Sequence, residues 1–400
     1  MSSAPEANAS SQRPPESSSE FIKVIARVRP DDSPSESLEV RDKLLEVSIP
    51  RGPDAVNNQI EEYKFPFSRV FSAKATQAEV FRDAAEQYVL GALDGVNCTI
   101  FAYGQTGSGK TFTICGGKGS YADRGIIPRA LGCIFDAIER RRDNVDYTVT
   151  MSFIEVYKEV GYDLLAKNFG GSIDTWPVVT VSFPKNEPVL SGAKRVSIAS
   201  EEEGLHQYFI GDTHRCVAET PHNLNSSRSH CIFTIYIEAS DPVAQTLRVS
   251  KVQIVDLAGS ERLRPYEAGS QNDKVLMGQA ISINMSLHWL ESVINALNQG
   301  SPVPYRNSFL TKVLKDALGG NARAIMFTTV NPTDAALPET ISSCRFAARV
   351  ANVQTFSRVN EEQDPQLVIA ALRQENDELR AALAATGGDG EAAAQAPSAT

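Results

Sequence analysis

Apolar residues come along this chain in short runs whose period switches between two and about 3.6, as expected of strands interleaved with helices. Phe21 to Val28 is apolar and β-branched except at Lys23 and Arg27, predicting a buried strand that ends at Arg29-Pro30. Leu44–Ile49 and Tyr63–Phe65 read as short strands on either side of a polar loop. Thr76 is placed to cap a helix with Glu79 as its capping-box partner; Val80, Phe81, Ala84 and Tyr88 follow at helical spacing, and Gly91 and Gly95 are expected to end it. Cys98–Tyr103 is nearly all apolar, which predicts a strand covered on both faces.

Pro128 is expected to start an amphipathic helix carrying Leu131, Ile134, Phe135 and Ile138, with Arg140 to Arg142 where a helix dipole favours cations. Tyr147–Val156 alternates as a strand does, and Gly161–Leu165 leads into a Gly- and Pro-containing hairpin region reaching about residue 190. A helix over 201–215, strands over Cys231–Ile237 and Arg248–Val255, and a long helix over Met277–Leu297 follow. Pro304 to Arg306 breaks the chain before a helix over Ser308–Leu318, a strand over Ala324–Val330 and a last helix over Glu339–Val353. The alternation predicts an α/β fold: a central mixed sheet with helices on both faces.

Both ends lack this pattern. Residues 1–18 are rich in Ser, Pro, Ala and Glu, and 385–400 in Ala and Gly, so both are expected to be disordered tails. With 42% hydrophobic residues the rest can bury a sizeable core. A formal charge of −10 argues against a nucleic-acid partner. No run of 18 apolar residues and no signal peptide is seen, so no membrane partner is expected. Six cysteines without metal or disulfide spacing fit a reducing cytoplasm.

Chemistry enters at Gly104-Gln105-Thr106-Gly107-Ser108-Gly109-Lys110-Thr111, which fits G-x-x-x-x-G-K-[ST]. A strand before such a loop and a helix after it aim backbone amides and helix dipole at a polyphosphate. Lys110 is expected against the β- and γ-phosphates and Thr111 on Mg²⁺. Asn223-Leu-Asn-Ser-Ser-Arg-Ser-His230 sets hydroxyls able to bind a metal ahead of a buried strand, although a hydrogen-bonded loop is the alternative. Asp256-Leu-Ala-Gly259-Ser-Glu261-Arg262 ends another apolar strand, where an Asp can hold a metal-bound water and a glycine amide can sense the γ-phosphate.

Taken together, GQTGSGKT at 104, NLNSSRSH at 223 and DLAGSER at 256 resemble a kinesin motor domain. RVRP at 27, INMSL at 283, VPYRNSFLT at 303, LGGNARA at 318 and ETISSCRFAARV at 339 extend the match over roughly residues 20–353. Myosins share the first two motifs, but build the third around Gly-Phe-Glu. ADRGIIPRAL at 122 and HCIFTIYIEA at 230 look most like the ninth kinesin class, linked to cilia and flagella. The resemblance implies a Mg²⁺-dependent ATPase of the cytoplasmic cytoskeleton, in cilium or flagellum, coupled to microtubules; a non-motile microtubule-binding protein with low turnover is the rival.

It also implies roles. Arg27, Pro30, Phe81 and Phe112 border the nucleotide, and Gly104 to Thr111 wrap the phosphates. Ser226 and Ser227 belong to the first switch, with Ser227, Thr111 and, through water, Asp256 serving the metal. Arg228, Glu261 and Gly259 close over the γ-phosphate and position the attacking water. Asn284, Arg306 and Lys312 face the microtubule. Met285 and Phe309 stand where the family pattern has lysine, which puts microtubule affinity in question unless either is buried or touches tubulin through apolar contact. Residues 19–353 form the motor domain, and 354–365 match the neck linker. Ile369, Leu372, Asn376, Leu379 and Leu383 in 366–384 have a-d spacing, expected of either a homodimeric coiled coil or an ordinary amphipathic helix.

Overall fold

The computed structural model describes residues 18–49, 62–117, 119–143, 145–167, 175–218, 228–261 and 271–387, without side chains at 185, 216–218, 271–284 and 384–387. Numbered along the chain, the strands of the large sheet are β1 (Lys23–Val28), β2 (Arg69–Phe71), β3 (Cys98–Tyr103), β4 (Asp146–Tyr157), β5 (Val160–Asp163) and β6 (Val178–Ser182). They continue with β7 (Val189–Ser191), β8 (Val196–Ser197), β9 (His230–Asp241), β10 (Thr246–Asp256), β11 (Arg323–Val330) and β12 (Glu361–Gln363). Their order is β7-β6-β5-β4-β9-β10-β3-β11-β1-β2, with β8 added to β4 and β12 to β10. From β10 to β2 the neighbours run parallel, while the β4-β9-β10 side is antiparallel. Leu38–Val40, Leu44–Ser48 and Glu62–Pro66 form a small separate sheet.

The helices are α1 (Gln77–Val80), α2 (Glu86–Leu93), α3 (Lys110–Ile114), α4 (Ile126–Arg141), α5 (Glu201–Ala218), α6 (Gln271–Gln299), α7 (Phe309–Val313), α8 (Leu337–Val350) and α9 (Pro365–Gly387). Strand alternation divides the apolar residues between two cores. Ile25, Ile100 and Phe327 pack with Val80, Leu131 and Tyr208 from α1, α4 and α5. Their neighbours Val24, Phe101 and Met326 pack on the other face with Leu290, Leu310 and Phe346 from α6, α7 and α8. The mixed sheet between two helical layers is the expected fold.

The Thr76 capping box forms as expected: the hydroxyl accepts from Glu79 N–H at 3.2 Å, and the Thr76 N–H donates to the Glu79 carboxylate at 2.8 Å. A π-helical turn at Phe81–Ala85 joins α1 to α2. Gly91 does not end this helix. It lies inside α2, and Gly95, at φ +88°, makes the turn.

Ser18, expected in the N-terminal tail, instead starts a strand: Ser18–Phe21 pairs antiparallel with Gln354–Ser357. The 354–365 segment is fastened along the domain. Val359 bridges Val96, Asn360 N–H donates to Gly95 O at 2.9 Å, and β12 lies on the first residues of β10. Asp364 then caps α9, accepting from Gln366 N–H at 2.9 Å.

Of the two departures from the family pattern, Phe309 takes the buried alternative. It is 6% exposed, in the core rather than on a surface, and its ring lies against Gly161, where an added Cβ would stand 2.8 Å from Cε2. The Phe309 N–H donates to Glu159 at 2.6 Å. Gly161 leaves the space that this phenyl ring fills. Met285, by contrast, is 42% exposed.

Phe309→Lys should therefore destabilise the domain by about 3 kcal/mol or more, through lost packing and a buried ammonium. Gly161→Ala should cost about 1–3 kcal/mol by overpacking. Urea unfolding checks both; wild-type stability in either variant would refute this packing.

Candidate nucleotide site

The phosphate loop leaves the C-terminal end of β3 beside the ends of β10, β11 and β1, so all four strands deliver residues to one edge of the sheet. Gly104 adopts φ +153°, and a Cβ there would stand 2.5 Å from Thr329 O, so the loop can turn only with glycine. Gly107 and Gly109 are also left-handed, at φ +76° and +105°. Ser108 fixes the turn from inside: its hydroxyl donates to Gln105 O at 2.7 Å and lies 2.6 Å from the Thr329 hydroxyl. Lys110 opens α3, buried, and its ammonium donates to Gly104 O and Gln105 O, each at 2.9 Å. Burial lowers its pKa, opposed by the charges of Asp256 and Glu261.

Asp256 sits at the end of β10, 2% exposed. Its Oδ2 accepts from the Thr111 hydroxyl at 2.7 Å and meets Arg215 Nη2 at 3.3 Å, while Oδ1 has no hydrogen-bond partner among the described residues. A buried carboxylate with a free oxygen beside a threonine hydroxyl is a hard-oxygen donor set. It fits Mg²⁺, which takes one or two protein oxygens and keeps waters and substrate phosphates. Among the described residues no cluster of three or more His, Cys, Asp or Glu side chains forms another metal site.

Gly259 and Glu261 lie over the loop. Ser260 N–H donates to Gly104 O at 3.1 Å, and Thr106 N–H donates to Glu261 Oε2 at 2.8 Å, with the Thr106 hydroxyl also on that carboxylate. Arg228 is half-buried just ahead of β9. Ser226 and Ser227 lie outside the described residues, as does the side chain of Asn284.

Beside the loop, a cleft of about 200 Å³ is lined by Arg27, Pro30, Gln77, Phe112, Thr113 and Asp123, among others. Arg27 lies over the Phe112 ring at 5.2 Å and donates to Gln77 Oε1 at 2.9 Å and to the Thr113 hydroxyl at 3.1 Å. Burial pulls its pKa down to about 10. Phe81 does not line this cleft; it is 7% exposed within the core, one turn behind the wall that Thr76 and Gln77 provide. Gln77 was missed in the sequence, although it directly follows the recognised cap. Its amide also donates to Phe112 O at 2.7 Å and ties cleft wall, arginine and phosphate-loop helix together.

Arg306 is exposed and Lys312 half-buried, at the turn before α7 and within it. Arg306 and Lys315 lie over the Phe183 ring at 5.9 and 5.2 Å, so cations do gather on this side.

The family described as kinesin motor domain matches residues 27–353. Kinesin-like protein KLP1 of Chlamydomonas reinhardtii is 38% identical over 91% of this chain and 46% of its own length. Kinesin-like protein KIF9 of Mus musculus is 38% identical, with the same two coverages. This chain thus spans about half the length of these curated relatives. A solved structure titled "Structure of a fast kinesin: Implications for ATPase mechanism and interactions with microtubules" aligns with a TM-score of 0.76 at 32% identity, over 86% of this chain and 95% of that one.

Gln77→Ala would leave buried Arg27 short of an acceptor. It should weaken nucleotide affinity about five- to ten-fold with turnover at saturation retained. Fluorescent-nucleotide titration with a KM and kcat comparison checks this.

Proposed function

This chain belongs to the kinesin motor domain family, and from that premise we propose that it hydrolyses ATP on Mg²⁺ and couples the reaction to microtubule binding. The observation that carries the reading is the gathering of Lys110, Thr111, Asp256 and Glu261 around one glycine loop. ATP lies with its base toward Arg27, Pro30 and Phe112 and its phosphates in the amides of Gly104 to Thr111. Lys110 leaves its carbonyl partners for phosphate oxygens. Thr111, Ser227 and, through water, Asp256 would hold the magnesium, which would supply charge neutralisation on the transferred phosphoryl group. Glu261 with Arg228, Ser226 and Gly259 positions the attacking water as the two switch segments close. The grip of Thr106 on Glu261 keeps that carboxylate at the loop before closure.

Asn284, Arg306 and Lys312 serve the microtubule face, in which an acidic polymer meets local cations on a chain of net charge −10. The 354–365 segment acts as the neck linker, its fastening along the sheet being the docked position. Ile369, Leu372, Leu379 and Leu383 are 49–75% exposed along α9, which supports a homodimer through this helix. The resemblance to the ninth kinesin class favours the cytoskeleton, in cilium or flagellum. The rival is a microtubule-binding protein of low turnover.

Lys110→Ala should lower ATP turnover at least about 100-fold, since among the described residues no other cation donates to the Gly104 and Gln105 carbonyls. Glu261→Ala should abolish hydrolysis and leave ATP affinity within about three-fold, the signature of a group used only at closure. A steady-state ATPase assay with nucleotide binding decides; parallel loss of affinity and turnover at Glu261 would contradict the role. Exposed Met285 is now the one departure on the microtubule face open to electrostatics. Met285→Lys should tighten co-sedimentation up to about five-fold at low salt and less at high salt.

A further inference from the structure

His230 ends the serine-rich motif, yet the phosphate chemistry gives it nothing to do. It is 3% exposed at the first position of β9. The Ala258 N–H donates to its Nδ1 at 3.0 Å. A peptide N–H can only donate, so Nδ1 carries no proton and the hydrogen of the neutral ring sits on Nε2. Nε2 lies 2.8 Å from the Ser286 hydroxyl, to which it therefore donates. Burial holds the ring neutral, its pKa pulled down to about 3, so this link does not titrate in any physiological range.

One ring thus spans three elements: the end of the serine-rich motif, the backbone one residue before Gly259, and α6. No rotatable bond separates its two nitrogens. A displacement of Ala258 that turns the ring therefore also moves the Nε2–H that Ser286 accepts. Ser286 is itself 3% exposed, and its neighbour Met285 opens to solvent on the same helix.

Resting on the motor reading above, we propose that His230 is a positioning residue that transmits the movement of the Ala258–Gly259 segment to α6, with Ser286 as the receiving group. Both side chains are buried, each 3% exposed. Their removal should therefore alter how strongly one site drives the other, not how tightly either ligand binds.

The test compares wild type, Ser286→Ala and Ser286→Thr in ATPase assays with and without microtubules, with thermal melts of each. Alanine is well tolerated in a helix. Ser286→Ala should keep the basal rate, the KM for ATP and the half-saturating microtubule concentration. Its microtubule-stimulated kcat should fall about five- to ten-fold, the scale of one lost hydrogen bond. Ser286→Thr keeps the hydroxyl and should recover the stimulated rate. Full stimulation in Ser286→Ala overturns the proposal. Basal and stimulated rates falling together also overturn it, because Ser286 would then merely support the fold. A wild type that microtubules do not stimulate overturns the motor reading instead, and this inference with it.

Discussion

Burying the carboxylate of Asp256 at 2% exposure costs several kcal/mol unless partners are supplied, and two helices converge on its strand to supply them. β10 carries it to the sheet edge, α3 brings the Thr111 hydroxyl, and α5 brings Arg215. Moving any of these away would strand a charge or a donor in a dry interior. The phosphate loop is thereby locked in register with the strand beside it. Oδ1 is left without a hydrogen-bond partner among the described residues.

The same edge is tied to distant parts of the molecule by rigid contacts. Glu261 grips the loop through Thr106, and His230 joins the intervening backbone to α6. At the opposite end of β3, Gly95 and Val96 receive the segment after α8, so the two ends of one strand meet the glycine loop and the 354–365 segment.

Much of this was legible where local chemistry decides the structure. The Thr76 capping box, the glycine loop, Asp256 ending an apolar strand, and both helical layers depend on neighbours in sequence. Phe309 was left open between surface and core because its burial depends on Gly161 on another element, a contact that periodicity around Phe309 does not encode. Gln77 and Arg215 were passed over because each acts through one long-range hydrogen bond or ion pair from an otherwise ordinary helix. Phe81 was placed at the nucleotide by resemblance, whereas its ring turns into the core and Gln77 faces the cleft. Gly91 misled because a glycine lowers helix propensity without forbidding a helix.

The central claim is that the glycine-loop site hydrolyses ATP under the control of a microtubule partner. ATPase rate measured over a microtubule titration, at low and moderate salt, tests it most directly. The account predicts a slow basal rate that rises saturably with microtubule concentration, with the half-saturating concentration climbing as salt is added. A rate that stays flat across the titration would contradict it.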